Sequence, residues 1–374
     1  MENSSAIVIG AGIVGLATAR SLAERGYHVT VFERSEKAVG ASIRNFGMVW
    51  PVGQPDGKMY ARAMLSKSIW KQVCTEANLW LEETGSLHLA YNELEWQVMN
   101  ELACTYKHRG VKILLKEETI KKTDAANPTA LIGSLWSPDE TIVESRVAIE
   151  KLPAYLAEKY GVQFHFNTAI NAIDYPSVIS NNKSWKADKI FICSGADFET
   201  LYPEIYAANQ FTKCKLQMMR LVAQPGEWRI GPALCGGLSL THYKSFEAAP
   251  SLPILKNYFK EHLPDYLKWG IHVMVSQNGS GELTIGDSHE YGNIFDPFDK
   301  EYINKLIVDY LQQFANFKSW QPIQSWHGIY AKRTNGATEF VHSPEEGVTI
   351  INGLSGAGMT LSFGLAEEVI GGTY

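Results

Sequence analysis

Residues 7–34 read IVIGAGIVGLATARSLAERGYHVTVFER, and no other stretch of this 374-residue chain restricts its fold as tightly. The apolar run AIVIG has the composition of a buried parallel strand. Gly10, Gly12 and Gly15 follow as G-x-G-x-x-G. LATARSLAERG then places apolar residues at helical spacing and closes on Gly26, a residue suited to a C-cap. HVTVFE reads as a second strand ending at Glu33. Gly10 permits the tight turn, Gly12 lets a pyrophosphate approach the backbone, and Gly15 lets the helix pack closely on the strand, so the helix N-terminus faces the phosphates. Glu33 is placed to accept hydrogen bonds from both ribose hydroxyls of an adenosine. GxGxxG alone is a weak signal. Here strand, helix, second strand and terminal acid occur in order, which predicts a bound dinucleotide. Arg34 suits a 2′-phosphate, but the acid before it repels one, so a dinucleotide without that group is expected.

An NAD domain would continue with alternating strands and helices. This chain instead enters KAVGASIRNFGMVWP (37–51), a loop-like stretch of small and polar residues. At the far end, GVTIINGLSGAGMTLSFGLAEEVI (347–370) reads as a strand, a Gly-rich turn and a helix whose N-terminus brings partial positive charge to a ligand. In the middle third KLQMMRLVAQ, HVMVSQ and ELTIGDS are strand-like, and KEYINKLIVDYLQQFAN is an amphipathic helix. Net charge is −6 with no polybasic run, so nucleic acid is not expected as a partner. No apolar run reaches the ~18 residues that span a bilayer. The N-terminus shows no charged-then-apolar leader, which predicts a cytoplasmic protein. The five cysteines, Cys74, Cys104, Cys193, Cys214 and Cys235, form no CxxC pair. Reduced thiols are expected, with neither a metal site nor a disulfide framework.

The N-terminal fingerprint, the stretch 42–51, ADKIFICSGAD (187–197) and the terminal GLSGAGMT together resemble the D-amino-acid oxidase, glycine oxidase and sarcosine oxidase superfamily of FAD-dependent amine oxidoreductases. The resemblance covers most of the chain in the family's order. It implies an α/β FAD-binding Rossmann-like domain interleaved with an α+β substrate domain containing an antiparallel sheet. The FAD domain would take residues 1–85, 137–210 and 327–374, and the substrate domain 86–136 and 211–326. Carried over residue by residue, Gly10, Gly12, Ile13, Val14 and Gly15 would hold the pyrophosphate, with Glu33 and Arg34 at the adenosine. Ser42, Arg44, Asn45, Phe46, Gly47 and Met48 match the loop along the flavin, and Ile170 matches the position that reads the adenine. Ser194 and Gly195 end an FAD-domain strand. Leu354, Ser355, Gly356, Ala357, Gly358, Met359 and Thr360 match the turn around the flavin pyrimidine ring. HGIYAKRTN has no Cys and SIRNFG no His, so noncovalent FAD is expected. SIRNFGMVWP, KLQMMRL, GLSLTHYKSF, HVMVSQNGSGELTIGDSHEYG and GAGMTLSFGLAEE are similar to a narrower clade found beside genes for aminophosphonate breakdown.

The resemblance implies hydride transfer from the carbon next to nitrogen to flavin N5, with no obligatory side-chain base, so no catalytic acid or base is assigned. Candidate substrate contacts are Arg44, Gln217, Arg220, His242, Tyr243, His327, Tyr330 and Lys332. Strand alternation puts Gln217 and Met219 on one face and Met218 and Arg220 on the other, without saying which faces inward. In SWHGIYAKR (325–333), the slot where glycine and D-amino-acid oxidases carry a carboxylate-clamping arginine holds Tyr330, followed by Lys332 and Arg333. The expected substrate is therefore a small anionic amine, an aminophosphonate or its N-methyl derivative, reoxidised by oxygen or another acceptor. The alternatives are a secondary-amine or D-amino-acid oxidase of glycine or sarcosine type, and a flavin-bound scaffold or sensor without turnover.

Overall fold

The computed structural model describes residues 4–374. The chain opens with β1 (Ser5–Ile9), α1 (Ile13–Glu24) and β2 (His28–Phe32). It continues through α2 (Lys58–Glu76), α3 (Ser145–Tyr160), β3 (Gln163–His165) and β4 (Lys189–Ile192). Next come β5 (Phe211–Leu221), β6 (Met274–Gln277), β7 (Leu283–Gly286) and β8 (Pro322–Arg333). β9 (Phe340–Glu345), β10 (Val348–Asn352) and α4 (Gly358–Ile370) close it.

A six-stranded sheet runs in the order β9-β10-β4-β1-β2-β3, parallel except for the β9–β10 hairpin. Its central strands are buried on both faces, as a parallel sheet requires. Ala6 and Val8 of β1 pack into the core shared with α1, α2, α3 and α4, while Ile7 and Ile9 pack into the opposite core with Ile190, Ile192 and Ile350. α1 ends as expected. Gly26 lies just past the C-cap Arg25 at φ +83, a left-handed conformation that favours glycine.

A second sheet, nine-stranded, includes β5, β6, β7 and β8 together with strands at Ser86–Ala90, Lys112–Leu115, Gly133–Ser137, Ala233–Cys235 and Glu290–Gly292. It is antiparallel apart from the pair Ala233–Cys235 with Ser86–Ala90. The amphipathic helix Glu301–Phe314 buries Ile303, Ile307, Tyr310, Leu311 and Phe314 in this sheet's core. β5 and β8 pair from Phe211↔Arg333 to Met218↔Trp326 and onward to a bulge at Arg220/Leu221. The domain boundary expected at 327 falls inside β8, which pairs along its length with β5 in the nine-stranded sheet. All five cysteines are free thiols. Among the described residues, no helix is long and apolar enough to cross a membrane.

Candidate functional site

Between the two sheets lies a cavity of about 1320 Å³. That exceeds the ~300–1,000 Å³ of an ordinary small-ligand pocket and suits a dinucleotide with a second molecule beside it. At one end is the first turn. Gly10 sits at φ +106, and a Cβ there would lie 2.4 Å from the Cys193 carbonyl oxygen, so only glycine fits. α1 begins at Gly12 with no side-chain cap, and Gly12, Ile13 and Val14 line the cavity, leaving an uncapped helix N-terminus facing it. Glu33 stands at the end of β2, where its carboxylate accepts hydrogen bonds from the Ala11 and Ser35 backbone N–H groups at 3.0 and 3.1 Å. Arg34 lines the cavity but is held by Asp197 at 2.5 Å. Ile170, Ser194 and Gly195 complete this end, with the Asn352 amide donating to the Gly195 carbonyl.

Further in, Ser42, Arg44, Asn45, Phe46 and Met48 line one wall. Ser42 Oγ accepts from the Ile13 N–H at 3.0 Å and so fastens this loop to the first turn. Asn45 bonds the Ala41 and Ser42 carbonyls and accepts from the Gly47 N–H. Opposite, Leu354, Ser355, Gly356, Ala357, Gly358, Met359 and Thr360 line the cavity where α4 begins, again without a side-chain cap. Thr360 Oγ1 accepts from the Trp50 N–H at 3.0 Å and ties the two walls together. Two helix N-termini, the Glu33 carboxylate and a backbone-lined slot between two loops form a set of groups that fits FAD. Gly15 and Gly47 do not line the cavity. A Cβ on Gly15 would lie 1.8 Å from the Gly10 oxygen and one on Gly47 1.9 Å from the Val143 oxygen, so close packing is what both serve.

The inner end lies against the nine-stranded sheet. Leu216 and Met218 of β5 face the cavity, as do Met274 of β6, Tyr330 and Lys332 of β8, and His242 and Tyr243 from the segment before β6. A Cβ on Gly356 would stand 3.6 Å from the Tyr330 hydroxyl oxygen, so this phenol abuts the C-terminal turn. Burial raises the Tyr330 phenol well above its ordinary value and keeps it a donor. Lys332 Nζ donates to the Tyr291 hydroxyl at 3.1 Å.

Three expected substrate contacts lie elsewhere. Gln217 points to the far side of β5, where its amide donates to the Lys300 carbonyl and Asn304 Oδ1, each at 3.0 Å. Arg220 shares the Met218 face but lies beyond the cavity, paired with Glu282 at 3.2 Å and Glu144 at 3.6 Å. His327, one residue before the cavity-lining Gly328, pairs with Asp299 at 2.9 Å on the outer side. Arg44 belongs to the wall, but its guanidinium is taken by the Val39 and His327 carbonyls. Sequence reasoning passed over Trp50, His272, Asp287 and His289, which also line the cavity. A signal for three of them was present. His272 and Met274 stand two apart, as do Asp287 and His289, so strand alternation carries each pair to one face.

A parallel sheet covered on both faces, with a glycine-rich turn after its first strand and a largely antiparallel sheet across the cavity, has the architecture of a flavoprotein of oxidoreductase type. Residues 5–370 match the DAO family of FAD-dependent oxidoreductases, and the chain belongs to that family. Glycerol 3-phosphate oxidase of Mycoplasma pneumoniae is 26% identical over 226 residues, 52% of this chain and 55% of that protein. Glycerol 3-phosphate dehydrogenase of Caloramator mitchellensis is 23% identical over 313 residues, 79% of this chain and 57% of that protein. The chain thus spans little more than half the length of either relative. Among solved structures, glycine oxidase from Bacillus cereus superposes with a TM-score of 0.77 at 17% identity, covering 100% of this chain and 96% of the other. L-Proline dehydrogenase from P. horikoshii gives 0.76 at 20% identity, covering 99% and 92%.

Proposed function

We propose that this chain oxidises the C–N bond of a small anionic amine, an aminophosphonate or its N-methyl derivative, with FAD held noncovalently. FAD when bound supplies the two-electron acceptor. In this reading residues 1–85, 137–210 and 327–374 carry the cofactor, and 86–136 and 211–326 shape the substrate's surroundings. One observation carries the substrate class: the inner wall presents Tyr330 and Lys332, and each guanidinium lining the cavity is engaged by at least one other group. Arg34 is held by Asp197, Arg44 by two carbonyls, and Arg333 by the Asn209 carbonyl while lying over the Phe211 and Phe340 rings. A planar carboxylate is best clamped by a forked guanidinium. A phosphonate, with three oxygens in a tetrahedron and more charge, suits separate donors such as a phenol and an ammonium. Tyr330 would donate one hydrogen bond and Lys332 would supply charge. The apolar Leu216, Met218 and Met274 would shed water around the amine end. A curated relative is by name an oxidase of glycerol 3-phosphate, a substrate that also carries a tetrahedral oxyanion.

The glycine-oxidase likeness favours a second reading, a secondary-amine or D-amino-acid oxidase with another carboxylate clamp. Comparison of kcat/KM separates the two. An aminoalkylphosphonate or its N-methyl derivative should exceed glycine, sarcosine and D-alanine by at least about tenfold, roughly 1.4 kcal/mol of differential transition-state binding. Equal or faster turnover of the carboxylates would establish the second reading.

A further inference from the structure

His242, His272 and His289 come from three separate segments and meet at the inner end of the cavity. Ring centroids lie 3.7 Å apart for His242 and His272, 4.9 Å for His242 and His289, and 5.1 Å for His272 and His289. One nitrogen of each ring lies within 4.8 Å of the other two. His272 and His289 are each 5% exposed and Asp287 6%, and all three line the cavity. Asp287 Oδ1 stands 3.2 Å from His272 Nε2, and Oδ2 3.7 Å from His289 Nε2.

The hydrogen bonds fix one tautomer. His289 Nδ1 lies 2.9 Å from the Gly270 carbonyl, which can only accept, so Nδ1 carries a proton. In the neutral ring Nε2 is then a lone pair turned toward a carboxyl oxygen. Among the described residues, His272 Nδ1 and Asp287 Oδ1 have no hydrogen-bond partner although both are buried. Buried polar atoms without partners are uncommon and ask for a missing group. Both atoms are open to a further hydrogen-bond partner.

We propose that His242, His272 and His289, with Lys332 beside them, form the receptor for the tetrahedral oxyanion of the substrate. This rests on the phosphonate reading above and names the groups that would make it. A cation is the poorer occupant. The ammonium of Lys332 bears on the same rings and would repel one. A dianion with three oxygens meets three imidazoles and an ammonium, and a carboxylate leaves part of that set unused.

The facing charges predict a proton event on binding. Burial holds the His272 and His289 imidazoles below their ordinary value, His289 at about 4; His242, exposed to the cavity, is lowered as well, and Lys332 pushes each further down. Asp287 is raised well above its ordinary value by burial. The other titratable groups around the cluster are Tyr243, Tyr291, Tyr330 and, behind His272, His88. Burial holds the Tyr243 and Tyr330 phenols above and the His88 imidazole below their ordinary values, and the Tyr291 phenol is raised as well, so all four stay neutral near pH 7. An entering dianion reverses the balance at the imidazoles, so one of them takes up a proton from solvent.

The test is calorimetric titration of the FAD-loaded protein with methylphosphonate at pH 8, in two buffers of different ionisation enthalpy, with acetate as the monoanion control. Expected are uptake approaching one proton per site, at least about tenfold weaker binding of acetate, and at least about tenfold weaker methylphosphonate binding with reduced uptake in His272→Gln and His289→Gln. Flavin absorbance and thermal melting verify that the variants are folded, and proton uptake by the unaltered protein stands as a readout if either variant is not. Absence of methylphosphonate binding, binding without proton uptake, or unchanged affinity in both variants overturns the receptor. So does an equivalent of tightly held divalent metal whose removal abolishes binding. Oxidation of an aminophosphonate by variants with unchanged KM leaves the function standing and removes the receptor. Proton-coupled methylphosphonate binding without turnover of any aminophosphonate does the reverse.

Discussion

Gly15 and Gly358 both belong to turns expected to touch the cofactor, yet they answer to different constraints. A Cβ on Gly15 has no room, being 1.8 Å from a backbone oxygen. Gly15→Ala should therefore lower stability by about 2–4 kcal/mol, read as a fall in melting temperature of the flavin-free protein. Gly358 has φ −54, and a Cβ there meets only Ile13 Cγ2 at 3.5 Å, an ordinary contact. Gly358→Val should hold the melting temperature of the flavin-free protein near its original value, within about 1 kcal/mol, while impairing FAD retention or turnover. A variant with undiminished FAD affinity and turnover would remove this turn from the site. The two glycines read alike in the sequence because both sit in glycine-rich turns. What separates them is the neighbouring space: at Gly15 it is filled by the preceding strand and turn, whereas at Gly358 it opens on the cavity. The histidines show the same limit. Period-two spacing marks His272 with Met274 and Asp287 with His289, but only the assembled sheet brings His242 to them.

The elements at both ends of the chain were legible because their signals are local. β1, α1 and β2 follow from an apolar run, a helical period and a terminal acid within some thirty residues, and β10 with α4 follow from a similar pattern. β5 was legible as a strand whose two faces alternate, but not as to which face points inward. That depends on its antiparallel pairing with β8, more than a hundred residues further on. The pairing turns Leu216 and Met218 toward the cavity and Gln217 toward the helix Glu301–Phe314. It also carries Arg220 past the cavity to Glu144 and Glu282. Arg220→Ala should thus act on stability, by about 2–3 kcal/mol, since it strands two carboxylates and the Thr284 hydroxyl near a buried edge. The denaturant midpoint should fall while the KM of the remaining folded enzyme stays within about twofold of its original value. A KM raised tenfold at unchanged stability would return Arg220 to the substrate site.

The two large sheets of the molecule hold the cavity between them, and buried carboxyls fasten parts of the fold. Glu140 is fully buried, where Oε1 accepts from the Val52 N–H and Oε2 from the Ser86 hydroxyl, each at 2.9 Å. Burial raises its carboxyl from 4.5 to about 7. A raised acid contributes stability that is whole below its unfolded value, is lost as pH climbs through the folded value, and stays lost above it. Unfolding free energy should therefore decline between about pH 4.5 and pH 7 by an amount on the order of 3 kcal/mol from this group. In Glu140→Gln that part of the decline should vanish, as denaturant melts at pH 5, 6, 7 and 8 would show. Parallel curves for the two proteins would contradict the assignment. The central claim concerns the cavity. Under anaerobic conditions, the purified yellow protein should bleach when an aminoalkylphosphonate or its N-methyl derivative is added, with glycine, sarcosine and D-alanine bleaching at least about tenfold more slowly at matched low concentration. A flavin that stays oxidised through the whole panel of amines would contradict the claim that this chain is an amine oxidoreductase.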